Sequence, residues 1–326
     1  MGNCAGHANT ALFIFRRKNL DKLMSLYDNC TLCPRLCKVD RTTGKTGHCG
    51  CTADLMVSRA ALHMWEEPCI SGTEGSGTVF FSGCNLHCVF CQNKEISGRD
   101  PYGKIISTDR LAEIFFELKK KGANNINLVT PTHYIPSVAI ALKKAKEDGL
   151  NLPIVYNTSG YELPESLKLL EGLVDIWLPD FKYLYPETAG FSNASDYPEV
   201  AKKALAEMVR QAGEPVFDEE TGLIKRGVIV RHLVLPGHIK ESCRILDYLH
   251  ETYGDKIYIS IMNQYTPFPE SFCPEVPKEL RRLVTKREYD KVIDHALSIG
   301  IKNGFTQEGE AASESFIPSF KECEGV

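Results

Sequence analysis

No apolar run in the 326-residue sequence approaches the ~18 residues that a membrane-spanning helix needs, so no membrane partner is expected. Long basic stretches are also missing and the formal net charge is −4, which argues against a nucleic-acid partner. The lysine run Lys119–Lys121 closes an amphipathic helical pattern, where cations suit the C-terminal end of the helix dipole. The start, Met1-Gly2-Asn3-Cys4-Ala5-Gly6, lacks the apolar core of a secretory signal, and Gly6 stands where a myristoylation motif wants Ser or Thr. A cytoplasmic chain is the expectation. Neither tandem repeats nor low-complexity tracts are present, and 43% apolar with 25% charged residues is ordinary globular composition.

Cysteine, by contrast, is abundant and unevenly spread. Of 13 cysteines, ten precede residue 92 and three lie in the remaining 235 residues. Disulfide scaffolds are usually short and secreted, whereas clustered thiols in a reduced compartment bind metal or do redox chemistry. Two separate metal sites are the simplest reading. Cys4, Cys69, Cys243, Cys273 and Cys323 show no pairing pattern and read as small buried hydrophobes, with a weak case for Cys69 and Cys273 as extra ligands.

Composition divides the chain into a cysteine-rich region (1–75), an alternating region (76–305) and a polar tail (306–326). The first has little periodic pattern beyond a short helix near Leu12–Tyr27. In the second, strand-like runs fall at Thr78–Phe81, Ile126–Thr130, Pro153–Asn157, Val174–Leu178, Val228–Leu235 and Ile257–Met262. Helical patterns fall between and after them, the first with Leu111, Ile114, Phe115 and Leu118 on one face. Strands separated by helices imply a parallel sheet with right-handed crossovers. The expected fold is α/β: a partial (β/α)6 TIM-like barrel with a small cysteine-rich N-terminal module. Reactive groups of such barrels gather at the C-terminal ends of the strands. The segment Gly304–Glu310 is either a cover for the barrel mouth or an ordered surface loop.

Straight after the first of these strands, Cys84, Cys88 and Cys91 have the spacing C-x3-C-x2-C. A tight loop of this kind can aim three thiolates at one cuboidal cluster. Four-iron clusters normally take four cysteines, so here one iron stays open to an outside ligand, and the amino and carboxylate groups of S-adenosylmethionine (SAM) suit it. Structural zinc would want a fourth ligand, and His87, adjacent to Cys88, cannot easily point at the same metal.

The stretch Ser82-Gly-Cys-Asn-Leu-His-Cys-Val-Phe-Cys-Gln-Asn93 resembles the cluster loop of the radical SAM superfamily, most closely the group of pyruvate-formate-lyase activating enzymes. That resemblance implies a [4Fe–4S] cluster on Cys84, Cys88 and Cys91, with Phe90 either beside the adenine or anchoring the loop. Asn157-Thr158-Ser159-Gly160 resembles a turn that such activases place near SAM. Asp180-Phe181-Lys182 is similar to their Asp-x-Lys motif, and Arg231-His232-Leu-Val-Leu-Pro-Gly237 to their fifth-strand motif, with the arginine reaching into the site. An anionic carboxylate and ribose hydroxyls want such partners at strand ends. For each, the alternative is a surface ion pair or a helix cap. There are two departures. Where much of the superfamily carries Gly-Gly-Glu, this chain has Thr130-Pro131-Thr132-His133, so Thr130 and Thr132 stand in as oxygen acceptors; His133 reads either as an acid/base or as a turn residue. Asn263 stands where activases tend to have a histidine contacting SAM.

Cys30, Cys33, Cys37, Cys49 and Cys51 form C-x2-C-x3-C-x11-C-x-C, which can wrap zinc or an auxiliary [4Fe–4S] cluster, with Cys51 an alternative to Cys49 as fourth ligand. Cys-Pro-Arg-Leu-Cys followed by Gly-x-Cys-Gly resembles the uncharacterised PflX-like proteins related to the activases. The function this implies is reductive cleavage of SAM to a 5′-deoxyadenosyl radical that abstracts hydrogen from a substrate. That substrate is either a glycyl-radical enzyme or a small molecule, and the electron donor a flavodoxin or ferredoxin. The reading from a different class is a non-catalytic Fe–S electron-transfer or zinc-binding protein.

Overall fold

A computed structural model describes residues 20–267, 276–307 and 318–326. Cys4, Cys273 and the first half of the helix expected near Leu12–Tyr27 lie outside these residues; its described half is helical over residues 20–24 and ends in a 3-10 turn at Ser25–Tyr27.

All six expected strands form. They are β2 (Ser76–Phe81), β4 (Ile126–Val129), β5 (Ile154–Thr158), β6 (Ile176–Pro179), β8 (Ile224–Leu233) and β9 (Tyr258–Met262). Each is parallel to the next, and β10 (Gly304–Thr306) adds to β9 in parallel. The other edge is antiparallel: β1 (Met56–His63) pairs with β2, and β3 (Lys104–Ile105) with β1. A short β7 (Val216–Phe217) pairs with β8. The sheet order is β10-β9-β8-β6-β5-β4-β2-β1-β3, an open, mostly parallel sheet consistent with a partial barrel.

Alternation along the strands builds two layers. Val79 and Phe81 of β2 join the main core with Leu111, Ile114, Phe115 and Leu118 of α1 (Thr108–Lys120). Phe80 faces the opposite way and packs with Ile96, Phe320 and Val129. This is the period-two geometry of a strand whose two faces are both covered. Helices α2 (Ile135–Glu147), α3 (Tyr197–Ala212), α4 (Ile239–Tyr253) and α5 (Lys286–Ser298) complete the outer layer. The Ser107 hydroxyl caps α1, and a Thr285–Glu288 capping box starts α5.

The stretch from β1 to Ser71 belongs to the body of the fold, although its composition groups it with the cysteine-rich region. A short helix, Pro68–Ser71, puts Cys69 and Ile70 against Val155, Ile176, Leu178 and Ile229 inside the curve of the sheet. Asn124 and Asn125, just before β4, donate to the carbonyls of Ser71 and Ile70 at 2.6 and 2.8 Å. The helix therefore plugs the N-terminal end of the parallel strands, and Cys69 is a core residue there. At the other end, Gly304–Thr306 extends the sheet and does not form a cover; residues 308–310 lie outside the described ones. The chain's last residues return to β1, where Ala60 N–H donates to the Glu324 carbonyl at 2.8 Å and Arg59 pairs with the Glu324 carboxylate at 2.7 Å.

Candidate SAM and cluster site

A cavity of about 270 Å3 opens at the C-terminal ends of the strands. Cys84, Cys88, Phe90 and Cys91 line it from the loop after β2, Thr130 from β4, Asn157 and Ser159 from β5, Asp180 and Lys182 from β6, and Arg231 from β8. The topology thus brings together residues spread over about 150 positions of sequence, because each lies near the C-terminal end of a parallel strand or in the segment after it.

The three thiols suit a cluster. Each sulfur accepts one hydrogen bond: Cys84 from Leu86 N–H at 3.4 Å, Cys88 from the Ser192 hydroxyl at 2.9 Å and Cys91 from the Ser97 hydroxyl at 3.2 Å. Burial pushes the thiols of Cys84 and Cys88 up to about 12 and about 11. Their thiolate forms therefore call for a metal to replace the proton. All eleven described cysteines are free. Among the described residues, no three His, Cys, Asp or Glu side chains converge on one ion. A four-iron cluster held by three thiolates keeps one iron open to an outside ligand, whereas a structural zinc wants a fourth protein ligand.

The opposite wall suits a polar ligand. Lys182 Nζ lies 2.5 Å from Asp180 Oδ2, and both side chains are largely buried. Burial works against the Lys182 charge, but Asp180 and the Cys88 thiolate outweigh it and hold the ammonium above its usual range. The Ser159 hydroxyl is buried without a partner among the described residues. Gly160 has φ +76°, and a Cβ there would stand 2.3 Å from the Asp180 carbonyl, so only glycine lets these two turns meet. Phe90 packs edge-on against Tyr265 with centroids 5.8 Å apart. Thr130 has φ +58°, a strained conformation for a β-branched residue, at the turn where the superfamily pattern has glycine.

Family comparison agrees with this geometry. Residues 78–249 match the family model described as Radical SAM superfamily. An uncharacterised protein of Methanocaldococcus jannaschii is 31% identical over 284 residues, covering 83% of this chain and 75% of the relative. The chain belongs to the radical SAM superfamily. Among solved structures, Streptococcus suis SuiB bound to precursor peptide SuiA aligns with TM-score 0.44 and 13% identity, over 70% of this chain and 47% of SuiB. SuiB bound to S-adenosylmethionine aligns with TM-score 0.43 and 14% identity, over 73% of this chain and 51% of SuiB. The chain therefore spans about half the length of SuiB.

As a radical SAM protein the chain is an enzyme of SAM radical chemistry, and the family implies a [4Fe–4S] cluster with SAM as cofactors. Three residues named from the sequence sit differently from expectation, and a fourth, His133, takes one of its two readings. Arg231 lines the cavity, but its guanidinium is taken up by Glu67, through Nε at 2.8 Å and Nη2 at 2.6 Å, and by Glu66. Glu66 also accepts from Asn127 Nδ2 at 2.9 Å. Two carboxylates from the plug thus hold the arginine that was expected to meet SAM. Thr132 is buried outside the cavity wall and donates to Glu162 at 2.8 Å. Asn263 is not part of the wall either; its N–H donates to Gln307 Oε1 at 2.7 Å. His133 is a turn residue: its Nε2 lies 2.7 Å from the Ser82 carbonyl and its own carbonyl accepts from Arg41 at 2.7 Å, while burial lowers its basicity.

Other residues of the site escape sequence reasoning. Tyr197 Oη lies 2.8 Å from the Ser159 carbonyl and 3.0 Å from the Asp180 carbonyl, and accepts Lys182 N–H at 3.0 Å. It ties the β5 and β6 turns together from the first residue of α3. Arg35, between two N-terminal cysteines, donates to the carbonyls of Asn85 and Asn193, both at 2.7 Å. Cys84 N–H donates to the Cys49 carbonyl at 3.3 Å. The N-terminal module is therefore a wall of the cluster loop. Gly83, with φ +89°, permits the contact, since a Cβ would stand 2.2 Å from Cys51 Sγ.

Proposed function

We propose that this radical SAM enzyme cleaves SAM reductively at the Cys84–Cys88–Cys91 site and uses the product to take a hydrogen atom from its substrate. A bound cluster supplies the electron that breaks the S–C5′ bond and releases a 5′-deoxyadenosyl radical. The observation that carries the reading is the meeting of three hydrogen-bonded thiols with the Asp180–Lys182 pair and the unpartnered Ser159 hydroxyl in one cavity. In this reading Lys182 and Ser159 orient the polar groups of SAM, and Phe90 screens the cavity from water. The resemblance to activating enzymes of the PflX-like group supports a glycyl-radical enzyme as substrate. A small polar substrate is a second reading, favoured by the extension of the cavity to His63, Trp65 and Glu66. The electron donor would be a flavodoxin or ferredoxin, and Cys30, Cys33, Cys37 and Cys49 would hold a second metal site, iron–sulfur or zinc.

Replacing Cys88 with Ala should abolish SAM cleavage by dithionite-reduced protein while the barrel stays folded, because a ligand is lost and no large apolar group is removed. Full cleavage by Cys88→Ala, measured as 5′-deoxyadenosine released, would sink the assignment.

A further inference from the structure

We propose that Phe320 is a positioning residue for SAM cleavage: from behind the cavity wall it fixes the short helix Lys94–Ser97, and through that helix the loop that carries Cys84, Cys88 and Cys91. The role rests on the proposed cleavage of SAM at this cavity.

Composition sets residues 306–326 apart as a polar tail, and residues 318–326 contain one aromatic side chain, Phe320. So few apolar groups cannot bury a core of their own, and the segment takes its place from β1. Arg59 Nη1 donates to the Ser319 carbonyl at 3.0 Å, while Arg59 Nη2 and Ala60 N–H engage Glu324 further along. Gly325, at φ +76°, runs so close to β1 that a Cβ would stand 2.0 Å from the Ala60 carbonyl. Between these anchors Phe320 is 3% exposed. Its ring meets Phe80 edge-on, with centroids 5.4 Å apart, and packs with Ile96 and Val129.

Those three neighbours line the cavity together with Ser97 and Pro318, whereas Phe320 does not. It therefore acts one layer back. The helix Lys94–Ser97 is a single turn, too short to be stable by itself, and Ile96 is its buried apolar side chain. Three contacts run from this turn to the cluster loop. The Ile96 carbonyl accepts Gly83 N–H at 2.6 Å, the Ser97 carbonyl lies 2.8 Å from His87 Nδ1, and the Ser97 hydroxyl donates to Cys91 Sγ at 3.2 Å. They reach the loop just before Cys84, just before Cys88 and at Cys91, so a shift of the turn is felt at all three thiols. Phe80 and Val129 are held by the pairing of β2 with β4. Phe320 is the neighbour of Ile96 that comes from outside the sheet. Removing its ring opens a void behind Ile96, into which a turn this short can partly collapse.

The test compares Phe320→Ala and Phe320→Leu with Leu249→Ala, which opens a void in the main core and touches no part of the cavity wall. Each full chain is reconstituted anaerobically with iron and sulfide. In Phe320→Ala the amides of residues 83–97 should exchange with deuterium at least about tenfold faster, read by mass spectrometry. The rate constant for SAM cleavage under dithionite should fall about 100-fold, the cost of a misplacement near 1 Å, with KM changed less than about threefold. Phe320→Leu should recover most of both, and Leu249→Ala should show neither. Unchanged exchange in Phe320→Ala, faster exchange with normal cleavage, or equal effects in Leu249→Ala would each overturn the role. If Phe320→Ala does not fold, Gly325→Ala decides, because it frees the segment from β1 without removing a core side chain; normal exchange and cleavage there overturn the role. If the unaltered chain cleaves no SAM, the proposed function fails, and exchange by itself still decides whether Phe320 holds the loop.

Discussion

Lys182 and Asp180 are separated by one residue and therefore reach the same side of an extended segment, which here is the cavity wall. An exposed ion pair would be worth about 0–1 kcal/mol, whereas a buried charge-assisted contact to SAM is worth roughly 1.5–3 kcal/mol. Lys182→Met should keep its cluster spectrum and bind SAM at least roughly tenfold more weakly. Anaerobic titration showing unchanged affinity would reduce the pair to a structural one. Glu162 makes a different prediction. Its carboxyl accepts from the Thr132 and Thr158 hydroxyls, yet burial pushes it up to about 7 from an ordinary 4.5. Between those values the folded chain holds a proton that the unfolded chain has released, so stability from this group falls as pH rises through the window. Relative to Glu162→Gln, the unaltered chain should lose up to about 3 kcal/mol between pH 4.5 and 8. Denaturant unfolding at both pH values checks this; parallel losses in the two proteins would refute it.

At the scale of elements, the segment from β6 to α3 straps the site together. Ser192 bonds the Cys88 sulfur and Tyr183, Asn193 bonds the His87 carbonyl at 2.7 Å, and Tyr197 joins the β5 and β6 turns. Tyr197 touches no cavity surface of its own, so its effect on a ligand would run through the turns it holds. Tyr197→Phe keeps the ring packing but leaves buried carbonyls unpaired, which costs about 1–3 kcal/mol. Its stability should fall by that amount, and SAM affinity should drop about three- to tenfold with the cluster spectrum retained. A variant that loses stability but binds SAM normally would show that the strap supports only the fold.

For the molecule as a whole, the Arg231 cluster joins the plug to the barrel. Removing one partner from a buried ion pair leaves the others uncompensated and costs about 3–5 kcal/mol. Glu67 shows the dependence: burial works against its charge, and Arg231 overcomes this and holds its carboxyl below the usual range. Arg231→Met should therefore destabilise the chain by about 3–5 kcal/mol in denaturant unfolding. A loss of SAM affinity without a loss of stability would restore the direct contact that the sequence motif implies. Of the described helices, none is long and apolar enough to cross a membrane.

Much of this architecture is legible residue by residue. The six parallel strands are short apolar runs between helical patterns, so their order follows from the chain. β1 escapes because Ser58 and Arg59 break its apolar run and it lies among cysteines whose spacing dominates the reading. The cysteine spacing and the motifs after each strand were enough to nominate the cavity wall, since a residue following a parallel strand has few places to go. Pairings across the fold were not readable. Arg231 meets Glu66 from 165 residues away, Arg41 meets the His133 carbonyl from 92 away, and Cys51 Sγ meets the Ser82 carbonyl from 31 away. Sequence by itself determined the thiol chemistry and the succession of strands, because both depend on short-range spacing and periodicity. Only the tertiary structure decided which charge meets which, because long-range packing, not local spacing, selects the partner of a buried group.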